Sequence, residues 1–174
     1  MLPQEPIDLF AHDTVRASFE AAGVVHGARA RERACMLAER FAVDRLLQRD
    51  PRDLSAGELQ RAALVLVLMG EPAVLLLDEA TRSLDAPGKR VLAGLLRELA
   101  AEGTTVVLSS HDLQFCAENA ETIAFLFDGS VVAQAPVRSF FADTAYYTTD
   151  PAVITRPCLS DAITVAEAVA PWRA

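Results

Sequence analysis

Two short apolar runs, Ala73-Val74-Leu75-Leu76-Leu77 and Thr104-Thr105-Val106-Val107-Leu108, constrain this chain more than any other feature. Each is short for a helix and lacks alternation, so each reads as a strand buried on both faces. The first closes on Asp78-Glu79 and the second on Ser109-Ser110-His111-Asp112. Between them the pattern predicts a helix from about Pro87 to Glu102, stopped by Gly103. Strand, helix and strand in that order give an α/β fold with a largely parallel sheet. Ligands of such sheets sit beyond the carboxyl ends of the strands, which is where both polar clusters fall.

The flanking sequence fits the same class. Met1-Leu2 reads as a strand end, followed by a loop at Pro3-Gln4-Glu5-Pro6. Helical periodicity covers Thr14 to Ala22 and Arg29 to Val43, where Ala34, Leu37, Ala38 and Phe41 share a face. Ser55, with Glu58 three residues on, has capping-box spacing and opens a helix to about Met69, ended by Gly70. A helix is expected at Leu113 to Asn119. Asp128-Gly129 then joins two apolar runs, Thr122 to Phe127 and Ser130 to Gln134, as a hairpin. Thr164 and Glu167 repeat the capping-box spacing before a last small helix.

Composition excludes several functions. The 174 residues carry a net charge of −8, which argues against general nucleic-acid binding, since that rests on Lys and Arg neutralising phosphates. No stretch approaches the ~20 apolar residues of a membrane-spanning helix. The start lacks the basic and apolar blocks of a signal peptide. Any membrane role is therefore peripheral, through a partner. Cys35, Cys116 and Cys158 are far apart and odd in number, which suits reduced cytosolic thiols, and their spacing with His12, His26 and His111 matches no zinc site.

Taken singly, the polar clusters are open to plain readings. Asp78 at a strand end can hold a divalent metal, with Glu79 polarising a water, or it can cap the next helix. Ser55 and Gly57 at a helix start form an anion site with the helix dipole, or an ordinary cap. His111 faces the ligand edge of the sheet, or is a loop histidine. Phe10, Val15, Phe19, Val24 and Val25 form an exposed apolar patch, or fill the core of a helical subdomain. Phe125 and Phe127 read as members of a packed strand.

Together, in order and spacing, these elements resemble the ATPase subunits of ATP-binding-cassette (ABC) transporters. Leu54-Ser55-Ala56-Gly57-Glu58 resembles the signature motif, with Ala56 and Glu58 in place of the commoner glycine and glutamine. Asp78-Glu79 resembles the Walker B end, with Ala80 where proline is usual. Ser83-Leu84-Asp85 resembles the D-loop, His111 the switch histidine and Gln4 the Q-loop glutamine. Ser55-Ala-Gly-Glu-Leu-Gln-Arg, Phe140-Phe141 and Tyr146-Tyr147-Thr148-Thr149 resemble, more narrowly, the energy-coupling-factor branch of vitamin and metal-ion importers.

The resemblance implies a P-loop NTPase-like core with a small helical subdomain over about 10–70. The partial ATPase domain would span 1–145, and 146–174 would be a C-terminal extension. It implies ATP and Mg²⁺ as ligands. Asp78 and Gln4 would hold Mg²⁺, Glu79 would be the general base and His111 would contact the γ-phosphate. Ser55, Gly57 and Glu58 would serve a partner's ATP in trans, and Asp85 would communicate across a head-to-tail dimer. The implied partners are a second ABC ATPase domain and a transmembrane coupling subunit at the cytoplasmic membrane face, with no nucleic acid and no membrane insertion.

The family's phosphate loop, G-x-x-x-x-G-K-[ST], does not occur in residues 1–174; Gly88-Lys89 is followed by Arg90 and has no glycine five residues earlier. The expectation is a chain truncated before the Q-loop, inactive in ATP hydrolysis alone. The competing readings are a catalytically dead module lending its signature motif to an active partner, and a soluble ABC ATPase of DNA repair or translation.

Overall fold

Local capping chemistry sets most helix boundaries. The computed structural model describes residues 1–143, 148–155 and 162–172. These fall in two compact units, 1–110 and 111–174. The expected domain boundary at 145–146 lies outside the described residues.

In the first unit, Thr14 caps α1 (Val15–His26), its Oγ1 accepting from Ala17 N at 3.1 Å. Gly27, at φ 90, ends α1 and starts α2 (Ala28–Arg40), a backbone angle that favours glycine. The α2 face Ala30, Ala34, Leu37 and Ala38 is buried. The Arg40 guanidinium grips Glu98 with two bonds of 2.6 and 2.8 Å, holding the Glu98 carboxyl below the usual range. α3 (Ala56–Leu68) buries Ala62, Ala63, Leu64, Val65 and Leu68 completely. At its C-terminal end Arg33 Nε donates to Leu68 O at 3.1 Å, a cation where the helix dipole is negative.

β1 (Val74–Asp78) and β2 (Thr105–Ser109) are parallel, with Leu75 opposite Val106 and Asp78 opposite Ser109. α4 (Ala86–Ala101) makes the crossover between them. Leu2 extends the sheet on the far side of β1 through one parallel bridge to Leu77. Its N–H donates to Leu76 O at 2.8 Å and its carbonyl accepts from Asp78 N at 3.0 Å.

The parallel pairing agrees with the sequence reading, but burial of these strands on both faces does not. Leu75 and Leu77 are buried, whereas Val74, Leu76 and Val107 are 55, 41 and 54% exposed. Successive strand residues project to opposite faces, so an apolar run loads both. The described residues bury only the Leu75 and Leu77 side of β1. The patch expected around α1 is likewise divided. Val15 and Phe19 are buried in the core, while Val24 and Val25 are exposed.

The second unit contains α5 (Leu113–Asn119), β3 (Thr122–Phe127), β4 (Ser130–Pro136), α6 (Val137–Asp143), α7 (Asp150–Thr155) and α8 (Val165–Val169). β3 and β4 are antiparallel around Asp128-Gly129, whose φ values of 47 and 72 suit a type I′ turn. A register shift falls between Phe125 and Leu126. Phe125 packs with Ile123, Ala133 and Ala135 against Phe140, Phe141 and Ile163. Phe127, expected inside, is exposed beyond that shift. Phe140 and Phe141 meet edge to face at 5.4 Å. Thr164 and Glu167 form the expected capping box.

Candidate functional site

Ser55 begins the site. Its backbone is extended (φ −63, ψ 158), the conformation of a helix N-cap, and its Oγ accepts from Glu58 N at 3.4 Å. The Glu58 carboxylate returns to Ser55, taking a bond from its N–H at 2.9 Å and from its hydroxyl at 2.8 Å. Arg49 lies 3.7 Å from the same oxygen. The Ser55 backbone N–H, then its hydroxyl, hold the Glu58 carboxyl below its ordinary value. A carboxylate thus occupies donors at a helix tip whose dipole favours any anion.

This lowered pKa has a sign. The Glu58 contribution to stability is complete above the unfolded-state value of about 4.5 and is lost as pH falls through the lower folded-state value. Glu58→Gln retains a capping box but cannot ionise. The variant is expected to lose less thermal stability than wild type on acidification below about pH 4.5. Parallel wild-type and variant melts at pH 3–6 read this directly.

Gly57 fixes where the tip sits. A Cβ there would lie 2.7 Å from the Ser83 carbonyl oxygen, so only glycine admits this approach of α3 to the turn after β1. Gln60, buried, ties the same two segments by donating Nε2 to Ala80 O at 3.4 Å. Asp85 takes the cap position of α4, its Oδ1 accepting from Gly88 N at 2.8 Å.

At the carboxyl end of β1, Asp78 is followed by Glu79 at φ 50, a left-handed conformation that costs a non-glycine residue about 1–3 kcal/mol. Glu79 N donates to Ser109 O at 3.1 Å and lies 3.2 Å from Ser109 Oγ. Ser109 Oγ donates to Asp78 Oδ1 at 2.5 Å. One turn on, Thr81 and Ser110 share a hydroxyl–hydroxyl bond of 2.8 Å. Gln4, exposed, follows Leu2 and so emerges at the same sheet edge as Asp78.

The structure therefore gathers Asp78, Glu79 and Ser109 at one edge and seats Gly57 against the 83–85 turn. His111 opens the second unit two residues past β2, and Asp112 caps α5 there by accepting from Phe115 N at 2.9 Å. Sequence reasoning assigned no role to Ser109, Thr81 or Gln60. The only available signal was that Ser109-Ser110 closes an apolar run.

The donor chemistry fits Mg²⁺. That ion takes oxygen ligands, usually one or two carboxylates with phosphates and waters. Among the described residues no three His, Cys, Asp or Glu side chains converge as a self-contained metal cage. A strand-end aspartate suits a metal that arrives with its substrate.

Residues 1–82 match the family model described as ABC transporter. Over these residues the chain is similar to ATP-binding proteins of ABC transporters. It is 40% identical over 162 residues to a putative ABC transporter ATP-binding protein of Streptomyces coelicolor, covering 90% of this chain and 28% of the relative. It is 36% identical over 123 residues to an energy-coupling factor transporter ATP-binding protein of Latilactobacillus sakei, covering 70% of this chain and 42% of that one. A dimeric bacterial ABC transporter cassette superposes with a TM-score of 0.69 at 28% identity, over 79% of this chain and 62% of the cassette. The fold is thus that of an ABC ATPase domain of the P-loop NTPase class. The chain spans little more than a quarter of the length of the Streptomyces relative.

Proposed function

We propose that these residues belong to the ATP-hydrolysing motor of an energy-coupling-factor type importer, acting at the cytoplasmic face of the membrane. The observation that carries the reading is the carboxylate pair Asp78-Glu79 at the end of a parallel strand, with Glu79 held in a left-handed turn. Support for the importer branch comes from similarity to the Latilactobacillus energy-coupling factor protein, and for pairing from the dimeric cassette. Among the described residues no helix is long and apolar enough to cross a membrane. The proposed partner is a transmembrane coupling subunit.

Each residue then has a task. Asp78 and Gln4 would hold Mg²⁺ and so help orient the nucleotide. When bound, Mg²⁺ would neutralise charge on the β- and γ-phosphate oxygens. Glu79 accepts a proton from the attacking water at its carboxylate. His111 donates to the γ-phosphate as charge develops. Ser55 and Gly57 reach the γ-phosphate held by a second ATPase domain, with Glu58 governing access to the Ser55 hydroxyl. Asp85 links the two active sites of the pair. Residues 1–174 contain no Gly-rich phosphate loop, so the phosphate cradle is supplied by another polypeptide segment.

The test is steady-state ATP turnover by the purified 174-residue chain, alone and mixed with an ABC ATPase domain that carries the loop. The chain alone is expected to show turnover at the buffer background, and the mixture Mg²⁺-dependent turnover. Robust hydrolysis by the chain alone overturns the requirement for an external loop.

A further inference from the structure

We propose that Ser109 is the positioning residue of the Asp78-Glu79 pair, an inference that deepens the ATPase reading and rests on it. The parallel register sets Ser109 directly opposite Asp78. A hydroxyl has one proton to give and lone pairs to receive, and here both capacities are used. The proton goes to Asp78 Oδ1 at 2.5 Å, while the oxygen faces Glu79 N at 3.2 Å. The Ser109 carbonyl accepts from the same N–H at 3.1 Å, so one residue secures Glu79 twice.

Two consequences follow. Asp78 is fixed in one rotamer by a bond to its Oδ1, which leaves its other oxygen available to a metal. Glu79 keeps its φ of 50 because its N–H is anchored to a strand rather than to a loop. Ser109 is exposed, so packing does not explain its identity. Nor does strand propensity, which favours β-branched and aromatic residues. The two polar bonds do. The neighbouring Thr81–Ser110 bond stitches the same turn to the same strand end and leaves the fold intact when the Ser109 hydroxyl is removed.

The experiment compares wild type, Ser109→Ala and Ser109→Thr in two measurements. In the 174-residue chain, three-bond NMR couplings from the Asp78 carboxyl carbon to its own amide nitrogen and carbonyl carbon report the χ1 rotamer. In the assembly with a loop-bearing ATPase domain, electron paramagnetic resonance reports Mn²⁺ affinity in the presence of ATP. A single rotamer is expected in wild type, averaged couplings and about tenfold weaker Mn²⁺ binding in Ser109→Ala, and recovery in Ser109→Thr. Unchanged couplings in Ser109→Ala overturn the proposal, whatever the protein binds. Unchanged Mn²⁺ affinity alongside a lower melting temperature also overturns it, because it makes the hydroxyl merely structural. If the couplings respond as expected but wild type takes up no Mn²⁺ with ATP, the hold on Asp78 stands and the ATPase reading falls.

Discussion

Glu79→Gln is expected to slow ATP turnover in the assembled ATPase by about 10²- to 10⁴-fold, the range a positioned general base contributes. The amide is nearly isosteric with the carboxylate but cannot accept the water's proton. The anchor of residue 79 is its backbone N–H, bonded to the Ser109 carbonyl, and the substitution does not touch it. The left-handed turn therefore persists, with Asp78 still in the Ser109 bond. ATP capture should be unchanged or tighter, since a charge facing the phosphates has gone. Single-turnover hydrolysis alongside equilibrium ATP binding separates the two effects. A fall of less than tenfold, or parallel losses in binding and turnover, would contradict the role given to Glu79.

Gly57→Ala is expected to destabilise the first unit by about 1–3 kcal/mol, the usual cost of forcing extra atoms into a packed contact. The clash is with a backbone oxygen, Ser83 O, at 2.7 Å, and not with a side chain that can swing away. The turn bearing that oxygen is itself bonded, with Arg82 N on Glu79 O at 3.0 Å and Leu84 N on Thr81 O at 3.3 Å. Leu84 is buried as well. The tip of α3 must therefore move, taking Ser55 with it. Gly94→Ala is the control. It lies within α4, its nearest contact would be Arg40 Nη2 at 3.5 Å, and alanine there should gain up to about 1 kcal/mol of helix propensity. Urea melts of the two variants should shift in opposite directions. A Gly57→Ala protein as stable as wild type would show that α3 and the 83–85 turn are not held in this contact.

The sequence disclosed what is decided within a few residues. Ser55 with Glu58 and Thr164 with Glu167 are read as capping boxes because their partners are three residues apart, and both form. Asp128-Gly129 is legible for the same reason, since the positive φ values it needs are intrinsic to those residue types. The parallel order of β1 and β2 follows from the helix between them. Burial did not follow, because the exposure of Val74, Leu76 and Val107 depends on what covers a sheet face, and no run of five residues encodes that. Phe127 was misplaced because it flanks the hairpin turn, opposite Ser130, where exposure depends on what covers the strand end, and spacing does not announce that. At the site, the carboxylates were visible and their support was not. Ser109 stands 31 residues from Asp78, and only the strand register brings them together.

The central proposal is that Asp78 and Glu79 act on a nucleotide whose phosphate cradle another segment supplies. Its most direct test is an experimental structure of the chain assembled with a loop-bearing ATPase domain, Mg²⁺ and a non-hydrolysable ATP analogue. The account predicts the Glu79 carboxylate directed at the terminal phosphate and Asp78 beside the metal, with Ser55 on the nucleotide across the interface. A nucleotide bound away from Asp78 and Glu79 would contradict it.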